Sequence, residues 1–173
     1  MPRDAVEGVM RVHARRLGHM VSVVFMCGPA GSGKSTVARH MEEEGFVRLS
    51  FDQEAWARGI RHMPLPEDVH RDIENRLRRR LVELVVDGRD VVLDFSFWSR
   101  AMRNEWRRVL EPFGVTPEVI YLSTDRATCL GRVAARTRAH GDDFVLDATT
   151  AAAYFDHFEP PDLGEGLVTV VVG

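Results

Sequence analysis

Lys34 is the only lysine among the 23 lysine and arginine residues of the chain. It stands in the run Gly28-Pro29-Ala30-Gly31-Ser32-Gly33-Lys34-Ser35, followed by Thr36. A sequence that draws on arginine for every other non-histidine side-chain cation keeps an ammonium at this one place. Arginine's planar fork suits paired hydrogen bonds, whereas the compact lysine charge on its flexible stem suits reach toward a phosphate. The eight residues match G-x-x-x-x-G-K-[ST], in which glycines let backbone N–H groups close around phosphates, the lysine reaches the β and γ groups and the hydroxyl faces magnesium. An ordinary glycine-rich turn is the competing reading.

The flanking sequence decides between them. Val21 to Cys27 has the apolar composition of a buried strand, and Ser35 to Glu44 reads as a helix, which is the strand, loop, helix order that the phosphate cradle requires. The start of that helix adds unpaired N–H groups and the positive end of its dipole at the same point.

Further elements follow in alternation. A second strand spans Phe46 to Ser50 after Gly45, and a short helix begins beside Asp52, with Ser50 and Gln53 spaced as a capping box. Glu67 to Val86 places Val69, Ile73, Leu77, Leu81, Leu84 and Val85 on one helical stripe. Val91 to Phe95 is a third strand, and Ser99 caps a helix reaching Leu110. A fourth strand covers Pro117 to Leu122, a helix covers Asp125 to Arg138, a polar loop spans Ala139 to Asp143, and a helix covers Ala148 to Phe158. Leu167 to Val172 is a fifth strand. Apolar strands alternating with helices imply an α/β domain whose parallel sheet is buried on both faces. Ligands of such sheets bind outside the carboxyl ends of the strands, so the glycine-rich loop, Asp52 and Asp94 are expected on one rim.

Composition narrows the class. The 173 residues, 45% hydrophobic and 28% charged, suffice for one domain with a proper core, expected over residues 21–173. Residues 1–20 form a peripheral extension, either an upstream addition before Met20 or a short docking helix. A net charge of -3 supplies no global attraction to nucleic acid. Cys27 and Cys129 make neither a metal spacing nor a disulfide framework, which suits a reducing cytoplasm. No apolar run has the length of a membrane span, and the first twenty residues lack a signal-peptide core. The seven histidines form no H-x-x-x-H pattern, so hydrolytic metal chemistry has no support.

Taken together, the phosphate loop, Leu49-Ser50-Phe51-Asp52, Val91 to Arg100 and Phe158-Glu159-Pro160-Pro161 resemble the small P-loop kinases. That group includes gluconate and shikimate kinases, chloramphenicol phosphotransferase, zeta toxins and the kinase module of polynucleotide kinase; the nearest likeness is to the bacterial AAA_33 group. The resemblance implies a three-layer α/β/α sandwich with a five-stranded parallel sheet in the order 2-3-1-4-5 and a short helical lid. It also implies ATP and Mg²⁺ as ligands and phosphoryl transfer to a hydroxyl of a small-molecule acceptor, with a nucleic-acid 5′-hydroxyl or a non-catalytic, toxin-like switch as alternatives.

Roles for individual residues follow from the same likeness. Residues 28–36 hold the nucleotide phosphates, with Ser35 on magnesium and Thr36 on a phosphate nearer the nucleoside. Asp52 accepts the acceptor hydroxyl's proton, or serves only as a helix N-cap. Asp94 closes an apolar strand and holds magnesium directly or through water, or else binds substrate. Arg132 contacts the nucleotide and Arg136 the transferring phosphoryl group, against the alternative of a solvated helix face. Trp98, Arg100 and Arg103 are candidates for the acceptor pocket, with apolar packing the common alternative for the tryptophan.

Overall fold

The structure is a computed structural model that describes residues 20–61, 64–135 and 146–173. Five parallel strands, β1 (Val23–Cys27), β2 (Val47–Ser50), β3 (Val91–Asp94), β4 (Glu118–Ser123) and β5 (Val168–Val172), form one sheet in the order β2-β3-β1-β4-β5. This is the expected order. Six α-helices are described: α1 (Lys34–Glu43), α2 (Phe51–Ala57), α3 (Glu67–Val86), α4 (Arg100–Leu110), α5 (Arg126–Ala134) and α6 (Ala148–Asp156).

The pleat explains the layers. Successive strand residues point to opposite faces, so Val23, Phe25 and Cys27 enter one core with Ile73, Leu77 and Leu81 of α3 and Trp106 and Leu110 of α4. Val24 and Met26 enter the other, against Val37, Ala38 and Met41 of α1. All five residues of β1 are buried, as a central strand covered on both sides must be.

Local signals set several boundaries. Ser50 is the N-cap of α2, its hydroxyl accepting the Gln53 N–H at 3.4 Å, and Ser99 caps α4 by accepting the Met102 N–H at 3.1 Å. Asp52 is therefore not the cap; it lies inside the first turn of α2. The sixth helix stops at Asp156, short of the expected Phe158, whose ring instead stacks on Tyr121 of β4 with centroids 5.8 Å apart. Residues 1–19, and the 136–145 segment that holds Arg136, the end of the helix expected to reach Arg138 and the polar loop expected over Ala139 to Asp143, lie outside the described residues. On either side of that segment α5 and α6 are joined by Arg126, whose Nε and Nη2 donate to the Asp156 carboxylate at 2.8 and 3.1 Å.

Candidate active site

The glycine-rich loop leaves the end of β1 and turns into α1. Gly33, with φ near 101°, is the N-cap of α1 in the left-handed region, and Lys34 is the first helical residue. Gly31 also has positive φ, at 83°, and a Cβ there would stand 2.3 Å from the Cys129 carbonyl oxygen of α5. The loop is thus closed down on α5 by a contact that only glycine permits. Two further bonds fix its ends: the Gly28 N–H donates to Ser96 O at 3.1 Å, and Thr124 Oγ1 donates to Ser32 O at 3.3 Å.

Inside this cradle the Lys34 ammonium donates to Pro29 O at 2.8 Å, folded over its own loop. Ser32 is fully buried and its Oγ has no hydrogen-bond partner among the described residues. Buried hydroxyls are almost always satisfied, so an orphaned one within the glycine-rich loop fits a site for a ligand rich in acceptor oxygens. Arg132 reaches the same loop, Nη1 donating to Gly31 O at 3.4 Å. Arg136, the companion expected one turn later, lies outside the described residues.

On the rim, Ser35 Oγ donates to Asp94 Oδ1 at 3.3 Å, bringing together two residues 59 positions apart. The other oxygen, Oδ2, accepts from Arg48 Nε at 3.1 Å, and Arg48 Nη1 lies 3.8 Å from Glu42 Oε2 of α1. Arg48 was missed by sequence reasoning. The available signal was a charge in the middle of an apolar strand, which needs a buried partner. Ser50 is the register partner of Asp94, so Asp52, half-buried and two residues further on, stands just beyond the same end of the sheet.

This geometry agrees with the family comparison. The AAA_33 family, an AAA domain, matches residues 23–161. The chain belongs to that family. A shikimate kinase from Buchnera aphidicola subsp. Baizongia pistaciae is 32% identical over 108 residues, so the chain spans 57% of that relative, and the match covers 58% of the chain. Among solved structures, a sugar kinase from Janibacter sp. superposes with a TM-score of 0.64 at 19% identity, over 88% of this chain and 85% of that one. A chain of the Pnkp1/Rnl/Hen1 RNA repair complex superposes with a TM-score of 0.71 at 14% identity, over 83% and 46%. Likeness at such identities is one of fold.

Three acceptor candidates in this AAA_33 chain separate in the structure. Trp98 is half exposed, on the loop between β3 and α4, and its carbonyl accepts the Glu159 N–H at 2.8 Å. Arg100 is exposed and donates from Nη1 to Asp162 Oδ2 at 3.1 Å, while its backbone N–H donates to Glu159 Oε2 at 2.9 Å. Arg103 does not face an acceptor. Its side chain is fully buried, Nε and Nη2 donate to the two oxygens of Glu165 at 2.8 and 2.7 Å, and Nη1 donates to Phe97 O and Glu159 O at 2.8 and 2.9 Å. The sequence reading placed it in the pocket because it follows Trp98 and Arg100 on one segment. The helix turns it instead into the core, where it anchors the chain's last segment.

Arg103 also approaches Cys27, with Nη1 4.0 Å from Sγ. Burial nevertheless pushes the Cys27 thiol up to about 11, outweighing the nearby Arg103 and Lys34 charges. Cys27 is fully buried in the core beside the glycine-rich loop, its Sγ donating to Phe97 O at 3.5 Å.

Proposed function

We propose that the chain is a magnesium-dependent kinase that transfers the γ-phosphoryl group of ATP to a hydroxyl of a small-molecule acceptor. One observation carries this reading: Ser35 Oγ and Asp94 Oδ1 meet at 3.3 Å beside the phosphate loop, with Asp52 just past the end of the adjoining strand. A hydroxyl and one carboxylate are oxygen donors of the kind Mg²⁺ takes when phosphates supply other ligands. Ser35 and Asp94 would hold Mg²⁺ there, and the ion would supply charge neutralisation for the phosphates.

Each residue then has a task. Backbone N–H groups of residues 28–36 and the buried Ser32 hydroxyl hold the phosphates, and the Lys34 ammonium exchanges Pro29 O for a phosphate oxygen. Arg132 lies beside the nucleotide, and Arg136 is assigned to the transferring group. Asp52 holds the acceptor hydroxyl by hydrogen bond and accepts its proton, which orients the oxygen for in-line attack. Ser50, and not Asp52, is the N-cap of α2, so the cap reading of Asp52 does not hold. The names of the similar proteins, shikimate kinase and sugar kinase, agree with a small hydroxylated acceptor.

Phosphoryl transfer from Mg·ATP, followed by mass spectrometry on pooled small-molecule alcohols and on 5′-hydroxyl oligonucleotides, tests the reading. The expected product is a phosphorylated small molecule. Asp52→Asn should bind nucleotide as the native chain does and turn over about 10²- to 10⁴-fold more slowly. Normal turnover in that variant excludes the base assignment; transfer to oligonucleotides alone establishes a nucleic-acid kinase; and binding without transfer to either pool leaves a nucleotide-dependent switch.

A further inference from the structure

Arg48 is a charge on a face of the sheet that is otherwise built from apolar side chains. It stands in β2 in register with Val92 of β3, on the side where Val24, Met26 and Val92 pack against Val37, Ala38 and Met41 of α1. Two residues beyond Val92 the pleat returns Asp94 to the same side, diagonally across from the arginine. Only 2% of the Arg48 side chain and 3% of the Asp94 side chain are exposed. A buried ion pair pays for its own desolvation, and apolar residues of similar volume frequently replace one with no loss of stability. Stability is therefore a poor account of why a charge pair stands here.

The pair is tied to α1 at two points. Asp94 Oδ1 accepts from Ser35 Oγ at 3.3 Å, and Arg48 Nη1 lies 3.8 Å from Glu42 Oε2. Ser35 and Glu42 belong to one helix and are separated by about two turns, which returns them to the same face. Glu42, Arg48, Asp94 and Ser35 thus form a line along the inner side of α1 that ends at the phosphate loop. Within that line Arg48 Nε donates to Asp94 Oδ2 at 3.1 Å, and Oδ1 is the oxygen turned to Ser35. The guanidinium is planar and its donors are fixed in direction, so this bond sets the rotation of the carboxylate.

We propose that Arg48 is a positioning residue and a determinant of metal choice: by occupying Oδ2 it makes Asp94 a one-oxygen ligand beside Ser35, which suits Mg²⁺ and disfavours Ca²⁺. The inference rests on the kinase reading above, in which Ser35 and Asp94 hold the metal. Ca²⁺ takes about six to eight oxygens and accepts a carboxylate through one oxygen or both, whereas Mg²⁺ takes a near-octahedral set in which one or two carboxylates join phosphates and waters. A carboxylate already held by its second oxygen meets the smaller demand and not the larger. Partners that orient a metal ligand in this way govern affinity without touching the ion.

The test uses the full chain saturated with a non-hydrolysable ATP analogue. Mn²⁺ held in that complex is read by electron paramagnetic resonance, and Mg²⁺ and Ca²⁺ are titrated in competition with it. Arg48→Gln should weaken Mg²⁺ about 10- to 100-fold and Ca²⁺ less, so that the preference for Mg²⁺ narrows, while affinity for the analogue without metal does not move. Arg48→Lys, which keeps the charge without the planar fork, should fall between the two. Asp94→Asn should weaken Mg²⁺ as well, and Arg48→Gln added to it should bring no further loss, because the arginine acts through that carboxylate. Native metal affinities in Arg48→Gln, with Asp94→Asn impaired, overturn the positioning role and leave the kinase reading standing. Equal losses of Mg²⁺ and Ca²⁺ in Arg48→Gln overturn the choice of metal. Native Mg²⁺ affinity in Asp94→Asn overturns the metal assignment and the role of Arg48 together. Breaking a buried pair from one side is strongly destabilising, so if Arg48→Gln does not fold, Arg48→Lys decides: native Mg²⁺ affinity and an unchanged preference over Ca²⁺ in that variant overturn the proposal.

Discussion

Two buried arginine–carboxylate pairs lie on opposite faces of the sheet, and they are built differently. Under α1, Arg48 donates from Nε to one oxygen of Asp94, while the other oxygen accepts from Ser35 of the phosphate loop. Against α4, Arg103 holds both oxygens of Glu165, Arg107 adds a third bond at 3.2 Å, and two backbone carbonyls take the remaining Arg103 nitrogen. The second network joins the last segment to the core and leaves one buried nitrogen, Arg107 Nη2, without a hydrogen-bond partner among the described residues. The first directs one carboxylate oxygen to a hydroxyl at the mouth of the site. Similar residue types and similar burial therefore serve different ends, and the difference lies in where the second carboxylate oxygen points.

The sharpest way to break this comparison is to neutralise each carboxylate in turn. If Asp94 holds magnesium as proposed, Asp94→Asn should lower phosphoryl transfer by about 10²- to 10³-fold, with nucleotide affinity measured in parallel with and without Mg²⁺. Glu165→Gln should instead leave transfer per folded molecule nearly intact and cost about 3–5 kcal/mol of stability, because it strands the buried Arg103 charge; denaturant unfolding reads this. Equal losses of activity from the two variants would mean that both networks serve the site.

The next effect depends on pH. Hydrogen bonds from Arg103 hold the Glu165 carboxyl at about 2, against an ordinary 4.5, overcoming the opposing effect of burial, with Arg107 assisting. A depressed folded value means that the stabilisation is full above pH 4.5 and fades as pH falls toward 2. The stability gap between the native chain and Glu165→Gln should therefore narrow over that window in unfolding curves taken at successive pH values. A gap that stays constant would show that the pair acts by shape and not by charge.

The smallest effect should come from the exposed pair of Arg126 and Asp156. Their side chains are about half exposed, and solvent screens such pairs strongly. Arg126→Ala should leave the melting temperature unchanged, in contrast to either buried pair.

Much of this architecture was legible before any coordinates. The α3 boundaries, Glu67 and Val86, follow from a regular apolar stripe, and Ser50 and Ser99 mark helix starts because a hydroxyl there meets an unpaired backbone N–H. The loop of residues 28–36 was legible because its chemistry is local: glycines, lysine and hydroxyls are contiguous. Roles that depend on distant partners were not. Arg103 looked like a pocket residue by its place in a polar segment, and its partner Glu165 stands 62 positions away. Arg48 gave only the sign of an oddly placed charge.

What the sequence determined by itself was the alternation of strands and helices and the glycine-rich loop between β1 and α1, which rest on short-range periodicity and a contiguous motif, and the sheet order, which came by likeness to P-loop kinases. Only the tertiary structure decided which arginine meets which carboxylate, and that Ser35 and Asp94 come together beside the glycine-rich loop. Those outcomes depend on how faces of separate elements come together, and a carboxylate 46 or 62 positions away leaves no mark beside the arginine that will meet it.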